Sequence, residues 1–511
     1  MPILLILLLW AACLPVAWAN PFEFGPWTSV EIAAATVMLV LSAAFTLRTW
    51  VIRSLALEPS RRFDVGQVYA RLRRILFFVN LGMVALLVAG LGWGQTTQEA
   101  LTIPREGRPP APAPFAELAV PLPYFLIVFG CWLIYYDAER ALHRLAGGEG
   151  PEFWSRAGYF LHNLRQLALL IAFPVGVLVT QQALVRFMPE VTGSDWYRVG
   201  LVAAFPFVIV FLPLIFKPVL GLRPLPPGAT RDRLEALARR LHFRHADLLV
   251  WPTRGSMANA MIIGLIPRAR YVIFTDRVLD EMPADELDAV FGHEVGHARH
   301  GHIWFYALFL ILSITVLAAA FLLLQLLAKQ APFSWLNSLD AEDNGWLMLP
   351  LVAIMGAYIF VVFGFLSRWC ERQADVFGCR AVSCANPSCT GHDETTTYPT
   401  GGAGLCPVGI RTFTRALERV YLLNGYSGHD DRSGGPIAAR VRGLLGWVRA
   451  WQHSTMPRRV RFLLSVVDDR DQERRFQRRL LILRWGLAIG LGMALIALGQ
   501  LVGWRELLAV L

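Results

Sequence analysis

Runs of about 18 or more apolar residues recur along this chain, and a helix of about 20 residues spans the hydrocarbon core of a bilayer. That repetition constrains the fold most: the chain is mainly α, a polytopic membrane protein. Composition agrees. Of 511 residues, 55% are hydrophobic and only 17% charged, with mean hydropathy +0.46. Spans read at about 29–47, 75–94, 119–136, 166–186, 199–222, 303–327, 346–366 and 485–503, about eight after the opening segment. That segment, "MPILLILLLWAACLPVAWAN", has an apolar core and ends in Ala17-Trp18-Ala19. It reads as a secretory signal or as a first uncleaved span.

The polar stretches between spans give the orientation. Segment 48–74 carries seven Arg, and 137–165 carries Arg140, Arg144, Arg156 and Arg165. The Pro-rich segment 95–118 has only Arg105 and Arg108 and reads as a stiff outer loop. Arg-rich loops stay on the cytoplasmic side, so two long polar segments, 223–302 and 367–484, both fall inside. The formal net charge of +10, nearly all Arg with Lys only at Lys217 and Lys329, therefore reads as membrane flanking. No basic patch with interleaved aromatics marks a nucleic-acid module, so nucleic acid is excluded as a partner.

The chain thus divides into a signal-like segment or first span (1–20), an N-terminal membrane region (21–222), a first catalytic half (223–302), two spans (303–366), a second half (367–484) and a last span (485–511). In the first half, Thr230 can cap a helix that presents Leu234, Leu237 and Leu241. "DLLVWP" reads as a strand, and "NAMIIGL" with "YVIFTD" as a hairpin. Pro283, Asp285 and Glu286 open a further helix, with Leu287, Val290 and Phe291 on its apolar side. That helix reaches His293-Glu294-Val295-Gly296-His297 and runs on into the apolar stretch after 302, as one helix serving two solvents.

Residues four apart share a helix face, so His293 and His297 can present imidazoles to one zinc ion. Glu294 lies beside them as general base for a zinc-activated water; this is the H-E-x-x-H pattern of zinc peptidases. His300 and His302 read as supporting or interfacial residues. A catalytic zinc needs a third protein ligand. Glu371, just after the 346–366 span, is on the same membrane side. Asp375, one turn on, can orient a ligating imidazole, and Arg368 can pair with Asp375.

"SMANAMIIG", "YVIFTDRVL", "FGHEVGHARHGH", "SRWCERQAD" and "HSTMPRRV" together resemble the membrane-integral zinc metallopeptidases that include the CaaX prenyl endopeptidases and HtpX-type proteases. The resemblance covers roughly 223–302 and 367–465. It implies an α+β zincin-like (gluzincin) catalytic domain, split by two spans and facing the cytoplasm. It implies zinc on His293, His297 and Glu371, Glu294 as general base, and Asp375 as the supporting acid. Asn259 and Ala260 match an edge strand that binds the substrate backbone. His453 matches an oxyanion-stabilising His, and Arg459 the Arg of the same signature. The family has His-Pro where this chain has His453-Ser454.

Cys379, Cys384, Cys389 and Cys406 fall in a polar insert at 379–406. On the cytoplasmic side these thiols stay reduced. They form candidate ligands for a second, structural zinc, with His392 a further candidate.

The reading is a membrane-embedded zinc endopeptidase acting on membrane-associated or misfolded proteins, with the lipid bilayer as its other partner. The signal-like start and the Arg-only basicity point to a bacterial inner membrane. The alternative is a non-catalytic membrane protein that keeps zinc as a structural clamp. A transporter is disfavoured because the spans carry few ionisable residues.

Overall fold

The computed structural model describes residues 20, 22–145, 153–328, 356–393, 395–424, 456–504 and 507. The signal-like segment and His453 lie outside these residues. The chain divides into two compact units, residues 1–200 with 328–356, and residues 201–327 with 357–511.

The first unit is a set of helices, most of them apolar. They are α1 (Pro26–Leu57), α2 (Arg62–Gly90), α3 (Trp93–Ala100), α4 (Leu122–Leu145), α5 (Arg156–Leu167) and α6 (Phe173–Phe187). The expected span 166–186 is broken by a wide helical turn at Ala168–Ala172 between α5 and α6. The Pro-rich outer loop contains a short antiparallel hairpin, β1 (Thr102–Arg105) and β2 (Arg108–Pro112). The two carboxylates on α4 are paired within the unit: Asp137 with Arg48 and Arg156, and Glu139 with Arg73. Such pairing offsets the cost of removing charge from water. Helix α7 (Asp195–Val219) follows.

The second unit holds the polar halves. A four-stranded sheet is formed by β3 (Arg223–Pro224), β4 (Asp247–Trp251), β5 (Ala260–Ile263) and β6 (Tyr271–Thr275), in the order β3-β4-β6-β5. β6 lies parallel to β4 and antiparallel to β5. All five of its residues are buried, as a continuous apolar run in an inner strand requires. β5 is an edge strand. The helices of this unit are α8 (Ala229–Arg240), α9 (Asp276–Glu281), α10 (Ala284–Arg299), α11 (His302–Ala328), α12 (Gly364–Ala381), α13 (Pro407–Leu423), α14 (Met456–Asp468) and α15 (Arg470–Val502).

One core joins the sheet to both polar halves: Leu234, Leu237, Leu241, Phe274, Leu287 and Phe291 pack with Phe377, Phe413 and Leu463. Burying each such side chain contributes about 1.5–3 kcal/mol. Thr230 does not cap α8. The helix starts after Gly228, with no side chain bonded to its first turn.

One expectation is corrected here. The histidine-rich helix and the apolar run are not one helix. α10 ends at Arg299, Gly301 takes φ +65, and α11 starts at His302. A left-handed residue cannot continue a right-handed helix. Among the described residues, three helices are long and apolar enough to cross a membrane: Pro26–Leu57, His302–Leu324 and Asp471–Val502. The bent pair Pro59–Val88 and Trp93–Ala100 makes up to four.

Candidate metal centre

The centre is built where α10 lies against α12. Close approach is required there. A Cβ on Gly292 would fall 2.2 Å from the Ala381 Cβ, so a larger residue would push the helices apart. The start of α10 is anchored by α13: Arg419 and Arg415 donate to Glu286 and Asp285, at 3.2 and 3.3 Å.

With the helices this close, three donors converge. His293 Nε2 and His297 Nε2 are 3.2 Å apart. Glu371 Oε2 is 3.8 Å from His293 Nε2, and Oε1 is 3.5 Å from His297 Nε2. The three donor atoms all lie within 4.8 Å of one another. A tetrahedral zinc with bonds of about 2.1 Å places its ligands about 3.4 Å apart. Two imidazoles and a carboxylate at these spacings fit that ion and leave a fourth position open.

Each of the two candidate histidine ligands has a partner behind it. His293 Nδ1 lies 3.0 Å from Asp375 Oδ1, a contact on the side of the ring opposite Nε2, where such a carboxylate orients a ligating imidazole. Asp375 is fully buried. Arg459, from α14, donates through Nε to Asp375 Oδ2 at 2.8 Å and through Nη2 to Oδ1. Its Nη1 is 3.5 Å from Glu371 Oε2. Burial favours the neutral acid, but the Arg459 charge and the His293 hydrogen bond hold Asp375 below the usual carboxylate range. Phe413 stacks on the outer face of the His293 ring at 5.7 Å.

His297 is oriented by a relay. Its Nδ1 lies 3.0 Å from His302 Nδ1, and His302 Nε2 lies 2.9 Å from Gln373 Oε1. Gln373 Nε2 in turn donates to Gln477 Oε1. In the tautomer that would present Nε2 of His297 to a metal, its Nδ1–H donates to His302, whose own Nε2–H donates to Gln373. The order is self-consistent only with His302 neutral, and His302 is fully buried.

Glu294 is half-buried, and its charge is felt by both His293 and Arg459. Asn259 precedes edge strand β5. Its N–H donates to Thr275 Oγ1 at 2.9 Å, and its carbonyl accepts from Thr275 N. Asn424, just past α13, brackets Ala258 by donating to its carbonyl and accepting from its N–H, at 2.8 and 3.1 Å.

Three assignments change. Arg459 is committed to the two carboxylates, which makes it a positioning residue. Asp375 takes a cation from Arg459, 84 residues further along the chain. Cys379 is buried on α12 and packs in the core with Phe377 and Ile410. His392 stands with Cys384, Cys389 and Cys406 in its place. Sequence reasoning missed Gln373, Gln477, Phe413 and Asn424. Gln373 stands within the quoted "SRWCERQAD" stretch, between Glu371 and Asp375, but carried no role there; the other three lie outside the quoted motifs, and only the folded packing brings them in.

Residues 225–391 match the model of peptidase family M48. The chain is 33% identical over 107 residues to the CAAX prenyl protease 1 homolog of Arabidopsis thaliana, covering 19% of this chain and 25% of that protein. It is 28% identical over 144 residues to CAAX prenyl protease 1 of Saccharomyces cerevisiae, covering 27% and 31%. It is 26% identical over 197 residues to the protease HtpX homolog of Archaeoglobus fulgidus, covering 36% and 54%. The matches thus span between a quarter and about half of these relatives. Among solved structures it is similar to Ste24p of S. mikatae, with TM-score 0.48 and 16% identity over 86% of this chain and 98% of that one.

Proposed function

We propose, starting from the fact that residues 225–391 are a peptidase family M48 region in an integral membrane protein, that this chain is a zinc-dependent endopeptidase. The observation that carries the reading is the convergence of His293 Nε2, His297 Nε2 and a Glu371 carboxylate within 4.8 Å, with Glu294 on the same helix.

His293, His297 and Glu371 would hold the zinc, which when bound polarises a carbonyl and acidifies water. Glu294 takes the proton from the attacking water and delivers it to the leaving amine. Asp375 and the His302 relay fix the two imidazoles by their Nδ1–H groups, so that neither ring turns as charge moves. Arg459 neutralises Asp375 and steadies Glu371. An extended substrate adds to edge strand β5, next to Asn259 and Ala260, through main-chain hydrogen bonds. His453 is proposed to stabilise the oxyanion. The substrate class is membrane-associated or misfolded protein, met at the cytoplasmic face of a cell membrane. The Arg-rich 48–74 and 137–165 segments support that orientation.

The test is cleavage of an unfolded-protein substrate such as casein by the purified chain in detergent. Glu294→Gln preserves shape and metal ligands but removes the base, and is expected to lower turnover by roughly 10²–10⁴ while zinc content stays the same. Unchanged cleavage by Glu294→Gln would remove the peptidase reading and favour the structural-clamp alternative.

A further inference from the structure

A second cluster lies between α12 and α13, apart from the centre above. Cys384, Cys389 and Cys406 are buried and pack together with Val408, and His392 is half-buried beside them. One ligand atom from each of the four lies within 4.8 Å of the other three. Cys406 Sγ is 3.3 Å from His392 Nε2.

A further observation points to a cation. Cys406 is the N-cap of α13, and its sulfur accepts the Gly409 N–H at 3.3 Å. That position favours a thiolate, because the positive end of the helix faces it. Three buried sulfurs and an imidazole at one point make a poor apolar core. They make a closed tetrahedral donor set, since structural zinc takes Cys₃His with no open position.

We infer that Cys384, Cys389, His392 and Cys406 bind a structural zinc ion that clips the start of α13 to the end of α12. Binding displaces the thiol protons to solvent. The clip is independent of the peptidase reading but has a structural reach. α13 carries Phe413 against His293, Arg419 on Glu286, and Asn424 just beyond its end on Ala258. Fixing its N-terminus fixes one wall of the catalytic centre and the approach to the edge strand.

The experiment is elemental analysis of the full chain purified in detergent under reducing conditions, with cobalt substitution. Wild type is expected to hold a second zinc. Cys389→Ser with Cys406→Ser should lose one zinc and keep the one bound by His293 and His297. His297→Ala should do the reverse, and its cobalt form should show thiolate-to-cobalt charge transfer with intense tetrahedral bands. Should the double serine variant fail to fold, the cobalt spectrum of His297→Ala decides alone. A single zinc in wild type that His297→Ala abolishes, freely titrating thiols in zinc-loaded protein, or a disulfide among the three cysteines would each overturn the assignment.

Discussion

Arg459 and Asp375 form a two-point pair inside the protein: Asp375 is wholly buried, and its two oxygens accept from Arg459 Nε and Nη2 while Oδ1 lies 3.0 Å from His293 Nδ1. The pair joins α14 to α12, and through Asp375 it sets the tautomer of a metal ligand. Asp375→Asn keeps the shape but weakens the acceptor behind His293, so zinc affinity should fall about 10–100-fold. Arg459→Met should do more, because it leaves Asp375 and Glu371 buried without their cation, at about 3–5 kcal/mol. Arg459→Lys should recover only part of this, since an ammonium cannot make both bonds. Competition with a chelator measures the affinities, and detergent-phase melting the stability. If Arg459→Met were as stable and as zinc-avid as wild type, the positioning role would be untenable.

His302 is the counterpart of Asp375 for the second imidazole. His302→Phe removes the acceptor for His297 Nδ1–H and leaves the Gln373 carbonyl without its donor. Zinc affinity should drop about tenfold or more, with a further loss of about 1–3 kcal/mol for the unsatisfied buried groups. Gln373→Ala, one step further along the relay, should show the same direction with a smaller effect on zinc. Equal zinc affinity in all three proteins would mean that the relay does not orient His297.

Much of this centre was legible because its ligands sit at helical spacing. His293 and His297 are one turn apart, and so are Glu371 and Asp375, so periodicity alone places each pair on one face. The hairpin of β5 and β6 was legible from its two apolar runs. The break at Gly301 was not, because glycine is compatible with a helix, and its positive φ is fixed only when His302 folds back toward His297. Arg459 was not read as a partner of Asp375 because it is 84 residues away, whereas Arg368 is near in sequence. The cysteine set was misread for the same reason: Cys379 is close in sequence, but the helix points it into the core.

Close packing of α10 on α12 is a condition for the centre, and Gly292 tests it. Gly292→Ala places a methyl 2.2 Å from the Ala381 methyl, which the helices relieve only by separating. The expected cost is about 1–3 kcal/mol, together with weaker zinc binding as Glu371 moves off the His pair. Ala381→Gly opens space for the new methyl, so the double variant should regain stability and zinc together. Recovery of neither in the double variant would show that this contact does not set the helix separation.

His300, at the break between α10 and α11, reports on acid stability. Burial, with the nearby Arg484, Arg299 and Arg380, lowers its pKa to about 4, against about 6.5 in an unfolded chain. Between these values the unfolded chain binds a proton that the folded protein refuses. Stability therefore rises with pH through this window and is lost as pH falls from about 6.5 to about 4. The full effect of this one group is up to about 3 kcal/mol. His300→Gln keeps a polar side chain without the titration. Its melting temperature should fall less steeply than that of wild type between these pH values, with the two curves parallel above pH 7. Curves of equal slope across the acid range would mean that His300 takes up its proton without unfolding the protein.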